Sequence, residues 1–300
     1  MSDSSVRLSM VGQDGSVWEV MDGSEGLTLG QGIKGVLFPK FEQKSADLLQ
    51  GRRWLATRFK PAELSVTFQV GDLAGSQWPY LNRGTVRTGD EFIELDRRVR
   101  RALAPSGTVE FIADSTHGRR RIRYHVDSFD AKLDTMPDIR GYGEFEVELI
   151  SDSPFWAGDK IKSQSFVPDD TQVADYYGGS GPPFYLAASY QQVMDLLINT
   201  GDVECWPTWT LTGPMSAVVG IGDALIETQP IAAGESLRIV TSPWGRSVTI
   251  DGELAWDRLI SRRFAPIPAK QKPGLTVATR DAGDGARITI EVQENYLGAW

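Results

Sequence analysis

The stretch Tyr142-Gly143-Glu144-Phe145-Glu146-Val147-Glu148-Leu149-Ile150-Ser151-Asp152-Ser153-Pro154-Phe155-Trp156 lies at the middle of a 300-residue chain. Phe145, Val147 and Leu149 alternate with Glu144, Glu146 and Glu148, the period-two pattern of a strand with one buried and one acidic face. Ser151-Asp152-Ser153-Pro154 ends it, because Pro154 has no N–H to give to a sheet ladder. Two large rings follow directly, Phe155 and Trp156. Such a pair after a breaker caps a core or fills the seam between two bodies, so Pro154, Phe155 and Trp156 are read as an inter-domain junction. The expected division is 1–156 and 157–300, each half of ordinary domain size.

Composition fits two globular bodies. Hydrophobic residues make up 41% and charged residues 24%, outside the range of disordered chains. The 31 glycines and 16 prolines fall between short apolar runs, which favours many short strands over long helices. The net charge of −9 argues against a body that binds duplex nucleic acid by itself. Cys205 is the single cysteine, so neither an intramolecular disulfide nor a cysteine zinc site can form. The opening Met1-Ser2-Asp3-Ser4-Ser5 lacks the pattern of a signal peptide, and no apolar run approaches the ~20 residues of a membrane span. The expectation is a soluble protein made in a reducing cytoplasm.

Along the first half, Val6–Val11 and Val17–Val20 read as strands around an Asp14-Gly15 hairpin turn. Gly30-Gln31-Gly32-Ile33-Lys34-Gly35 matches G-x-G-x-x-G, but Val36-Leu37-Phe38-Pro39 follows where a dinucleotide site needs a helix N-terminus. Residues 40–62 read as a long, polar, irregular excursion carrying Arg52, Arg53, Trp54 and Phe59, and a loop of that length is usually engaged with a partner. Leu64–Val70 alternates as a strand. A helix is expected from Asp90 to Leu103, capped by Thr88 or Asp90, with Phe92, Leu95, Val99 and Leu103 on one stripe. Arg97, Arg98, Arg100 and Arg101 near its end suit the helix dipole and a salt-bridged outer face. Strands follow at Thr108–Ala113, Arg121–Val126 and Gly143–Ile150.

The second half reads as nearly pure β. Tyr176, Tyr177, Phe184 and Tyr185 sit in a Gly/Pro-rich loop that offers aromatic faces to a partner or a glycan. Strands are expected at Val193–Ile198, Thr208–Thr212, Ala217–Ile221, Ala224–Thr228, Ser236–Thr241, Ser247–Ile250 and Arg287–Gln293, a spacing that predicts a sandwich or jelly roll.

Chemistry is hard to place. There is no G-x-S-x-G elbow, phosphate loop or H-E-x-x-H helix. His117 and His125 have no partner at ligand spacing, and Asp281-Ala282-Gly283-Asp284-Gly285 lacks the alternate oxygen ligands of a calcium loop. No catalytic, metal or cofactor residue is assigned.

Order and spacing of small motifs carry a resemblance. Asn199-Thr200-Gly201, then Pro207, then Gly213-Pro214 resembles the opening of the C-terminal domain of siphophage distal tail proteins. Trp256-Asp257-Arg258-Leu259, Phe264-Ala265-Pro266-Ile267-Pro268, Gly274 before a strand, and Ile288-Thr289-Ile290-Glu291-Val292 with Tyr296 and Trp300 are similar to the same family. So is the strand that ends in Ser153-Pro154-Phe155-Trp156. The resemblance implies a mainly β chain: an N-terminal sandwich or split barrel with one helix, and a galectin-like C-terminal sandwich. It implies a non-enzymatic virion protein of a long non-contractile tail, made in the host cytoplasm. Six copies would form a ring between tail tube and tail tip, clasped through a belt at 40–62 with Arg52, Arg53, Trp54 and Phe59 as contacts. Expected partners are the tube protein, a tape-measure protein and tail-tip hub or fibre proteins, with DNA passing through the channel unbound. The alternative is a carbohydrate-binding module using the C-terminal sandwich.

Overall fold

The computed structural model describes residues 6–32, 39–47, 50, 52–71, 89–132, 141–168 and 197–300. The chain divides into two compact units, Met1–Asp159 with Tyr296–Trp300, and Lys160–Asn295.

The first unit holds strands β1 (Val6–Val11), β2 (Val17–Glu19), β3 (Leu27–Gln31), β4 (Phe41–Asp47), β5 (Arg52–Phe59) and β6 (Ala62–Gly71). Helix α1 (Asp90–Ala102) follows, then β7 (Thr108–Ser115), β8 (Gly118–Lys132), β9 (Tyr142–Ser151) and the start of β10 (Trp156–Phe166). β9 is the strand expected from the central stretch. Phe145, Val147 and Leu149 are buried, and they stand opposite Phe68, Val66 and Leu64 of β6. Their glutamate neighbours point away, Glu148 into solvent and Glu144 into bonds from Gln69 and the Tyr142 hydroxyl.

β8 is long enough to serve two sets of partners. Its first part pairs with β7, whose other edge takes β1 and then β2. From His125 onward it pairs with β9, which leads on to β6 and β3. A register irregularity between Val126 and Ser128 falls near this change of partner, and a bulge bends and twists a strand. These strands and α1 share one core built on Trp18, Phe68, Phe92, Phe111, Tyr124 and Phe145.

The helix matches its expected span, but its cap differs. Gly89 occupies the N-cap with φ 59° and no side-chain bond, and Asp90 is the first helical residue. Asp90 and Glu91 therefore act on the dipole and not as caps. Phe92, Leu95, Val99 and Ala102 form the buried stripe. The arginines are engaged: Arg98 lies over Trp18 at 4.8 Å, and Arg100 bonds Asp96 at 2.8 Å while facing Phe129 and Phe145.

The clearest correction concerns residues 40–62. They are not irregular; β4 and β5 form a regular antiparallel hairpin from Phe41↔Phe59 to Asp47↔Arg52, with a bulge at Lys44/Ser45. Because neither face is buried in the chain, the apolar alternation that reveals most strands is weak.

The second unit contains β11 (Thr208–Thr212), β12 (Ser216–Ile221), β13 (Ala224–Thr228), β14 (Ser236–Val240), β15 (Ser247–Ile250), β16 (Glu253–Leu254), β17 (Leu259–Arg262), β18 (Leu275–Arg280) and β19 (Arg287–Tyr296). One sheet runs β16-β15-β14-β11-β19, the other β17-β13-β12-β18. Trp209, Leu211, Leu237, Ile239, Ile288 and Ile290 from the first meet Val219, Ile226, Leu259 and Leu275 from the second in one core. That is a β-sandwich, as the strand spacing predicts. The expected strand at Val193–Ile198 lies mostly outside the described residues, and Leu197–Ile198 are not in a strand. The G-x-G-x-x-G match also runs out of the described residues after Gly32.

Candidate interface on the β4–β5 hairpin

Among the described strands, β4 and β5 pair only with each other and form a separate two-stranded sheet. Residues directly opposite on paired strands share a face. Arg52, Trp54, Thr57 and Phe59 therefore lie with Asp47, Ser45, Gln43 and Phe41 on one side of the ribbon. Arg53, Ala56 and Arg58 lie on the other, with Ala46, Lys44 and Glu42, and Leu55 is the unpaired residue of the bulge. The structure thus gathers Arg52, Trp54 and Phe59 on one face and sets Arg53 on the other.

The faces differ in chemistry. The first is the more apolar, exposing Phe41 at 47% and Trp54 at 61% beside Phe59, with Arg52 bonded to Asp47 at 2.9 Å. The second is charged, with Lys44, Arg53 and Arg58 beside Glu42, which pairs with Lys60. Leu55, at the bulge, is 55% exposed. Sequence reasoning passed over Phe41, because its apolar neighbours on that face come from the other strand.

The base of the ribbon is anchored by rings. Phe59 meets Phe41 edge-on at 6.4 Å and Phe155 at 4.9 Å. Ser153 accepts the Phe155 N–H in a local turn. Phe155 is buried, Pro154 is buried, and Trp156 sits in the core of the first unit. The residues singled out as a junction therefore also hold the root of the hairpin. Tyr176, Tyr177, Phe184 and Tyr185 lie outside the described residues.

The second unit carries a buried polar knot where Asn199-Thr200-Gly201 meets β19. The Glu294 carboxylate accepts from Lys162 at 2.7 Å, from the Thr200 hydroxyl at 2.7 Å and from the Thr200 N–H at 2.6 Å. Burial pushes its pKa up, but those bonds outweigh burial and hold it below the ordinary value. A Cβ on Gly201 would run into the Asn295 carbonyl oxygen, so glycine is required there by close approach. Burial pushes the Cys205 thiol up to about 12, which leaves it protonated and inert. These groups satisfy one another and present no open reactive centre.

Comparison with solved structures places this fold. A chain of the phage P2 baseplate in its activated, calcium-containing conformation aligns with a TM-score of 0.52 at 9% identity, over 96% of this chain and 98% of that one. The Dit protein of phage SPP1, described as a hub adsorption apparatus of phages infecting Gram-positive hosts, aligns with a TM-score of 0.55 at 11% identity, over 97% and 99%. The P2 baseplate with strontium matches equally well, at 0.52 and 9%. No protein-family model matches the chain, and no curated protein does. The chain has the fold of these baseplate and hub proteins from end to end.

Proposed function

We propose that this chain is a structural, non-enzymatic virion protein of a long non-contractile phage tail. Six copies close into a ring that joins the tail tube to the tail tip and leaves a channel for DNA. The end-to-end correspondence with the SPP1 hub protein carries this reading. The hairpin supports it independently. A two-stranded ribbon is marginal in water on its own, and an exposed apolar face calls for cover. A heterologous contact, arm of one copy on body of the next, closes a ring when the rotation divides evenly. The tube protein, a tape-measure protein and tail-tip proteins are the ring's neighbours, and the protein is made in the host cytoplasm before assembly.

Light scattering with electron microscopy tests this. The expected particle has six times the 33.1 kDa chain mass and six-fold symmetry. A chain that stays monomeric at micromolar concentration and is never incorporated into tails would refute it.

A further inference from the structure

We infer that Lys162, Thr200 and Glu294 form an acid-released clasp. While Glu294 is ionised it pins β10 and the Asn199-Thr200-Gly201 turn to β19, and a proton on that carboxylate lets both go.

The fastening is concentrated on one atom. Lys162 comes from β10, Thr200 from the turn and Glu294 from β19, and β10 and β19 are neighbours in the sheet. Glu294 Oε1 accepts from Lys162 Nζ at 2.7 Å, from the Thr200 hydroxyl at 2.7 Å and from the Thr200 N–H at 2.6 Å. Lys162 Nζ also donates to the Ile198 carbonyl at 2.6 Å, so the same ammonium joins β10 to the turn. Hydrogen bonds to an ionised acceptor are roughly twice as strong as neutral ones, so protonation weakens all of these contacts together. It also leaves the Lys162 ammonium in a partly buried position without its counter-charge. The Lys162 side chain keeps 28% exposure against 11% for Glu294, so the lysine is the partner with a way out to water.

The neighbouring charges do not replace the lost one. Cys205 faces Glu294 and Lys162, and burial keeps its thiol protonated, with Glu204 beside it adding to that effect. Lys270 donates to the Thr200 carbonyl at 2.6 Å and pairs with Asp202 at 3.6 Å, and that pair lies at the surface, where water screens it. Burial raises the pKa of Glu294, and the bonds from Lys162 and Thr200 outweigh burial and leave it below the ordinary 4.5. The clasp therefore stabilises the unit above about pH 4.5, and that stability is lost as the pH falls through the lower, folded-state value. The sandwich core around Trp209, Leu211 and Ile239 is apolar and does not titrate, so release is local to β10 and the turn.

Hydrogen exchange of the full-length chain, read by mass spectrometry and corrected for the intrinsic pH dependence of exchange, tests this. Between about pH 6 and pH 3, segments 160–166 and 198–204 should lose protection by about tenfold or more, while β12 and β14 keep theirs. Glu294→Gln should exchange fast in those two segments at both pH values. Lys162→Met keeps the carboxylate and its Thr200 donors but removes a cation that lowers the carboxylate's pKa, so the step should move to higher pH. Absence of the step in the wild-type chain, its survival in Glu294→Gln, or an unmoved step in Lys162→Met would overturn the assignment. So would a simultaneous loss of protection in β12 and β14, which would make the event global unfolding of the unit.

Discussion

Asn199 spends every polar atom it has. Its amide nitrogen donates to the Val203 and Ile267 carbonyls at 2.8 and 3.1 Å, and its side-chain oxygen accepts the Gly201 N–H at 2.9 Å. Its backbone N–H donates to Gln271 and its carbonyl accepts from Lys270. With 0% exposure, none of these groups has water to fall back on. Asn199→Asp keeps the shape but sets a carboxylate against two carbonyl oxygens. Chemical denaturation should show a loss of about 3 kcal/mol at neutral pH. A loss below about 1 kcal/mol would mean that the loop rearranges at little cost. The sequence exposed this residue only as part of a motif, Asn199-Thr200-Gly201. Its partners Ile267, Lys270 and Gln271 lie tens of residues away, so no local pattern reports that it ties two segments together.

Among the elements, legibility followed burial. Thr208–Thr212, Ala224–Thr228 and Ser247–Ile250 are readable to the residue, because each buries residues on one face between turn signals. α1 was equally plain, since Phe92, Leu95 and Val99 recur at helical spacing. Leu95 is 2% exposed within the first unit's core, so Leu95→Ala should cost about 3 kcal/mol by denaturant titration. A cost under 1 kcal/mol would show that the helix rests lightly on that core. The β4–β5 hairpin gives no strand signal in the sequence for the converse reason. Its two faces are distinct only when both strands are laid side by side, a pairing that single-strand periodicity does not report. The candidate interface was therefore located by its loop length, while its division into faces needed the register.

In the whole molecule, residues Tyr296–Trp300 belong with the first unit although they follow the second in sequence. Ala299 is buried in the first unit's core, Arg120 stacks on Tyr296 at 4.0 Å, and its guanidinium donates to the Gly298 carbonyl at 2.7 Å. Removing residues 296–300 should destabilise the first unit by about 2–4 kcal/mol, through lost core burial and a lost cation–π contact. Hydrogen exchange should then quicken in β7 and β8 and stay unchanged in β11 and β14. Equal loss of protection in both units would refute the assignment. Nothing in the sequence of these five residues points to that return, because a short tail carries no periodicity. The return also imposes a timetable. A ribosome adding roughly 5–20 residues per second makes the second unit before it reaches Ala299. The first unit thus waits on the order of ten seconds for Ala299 to join its core.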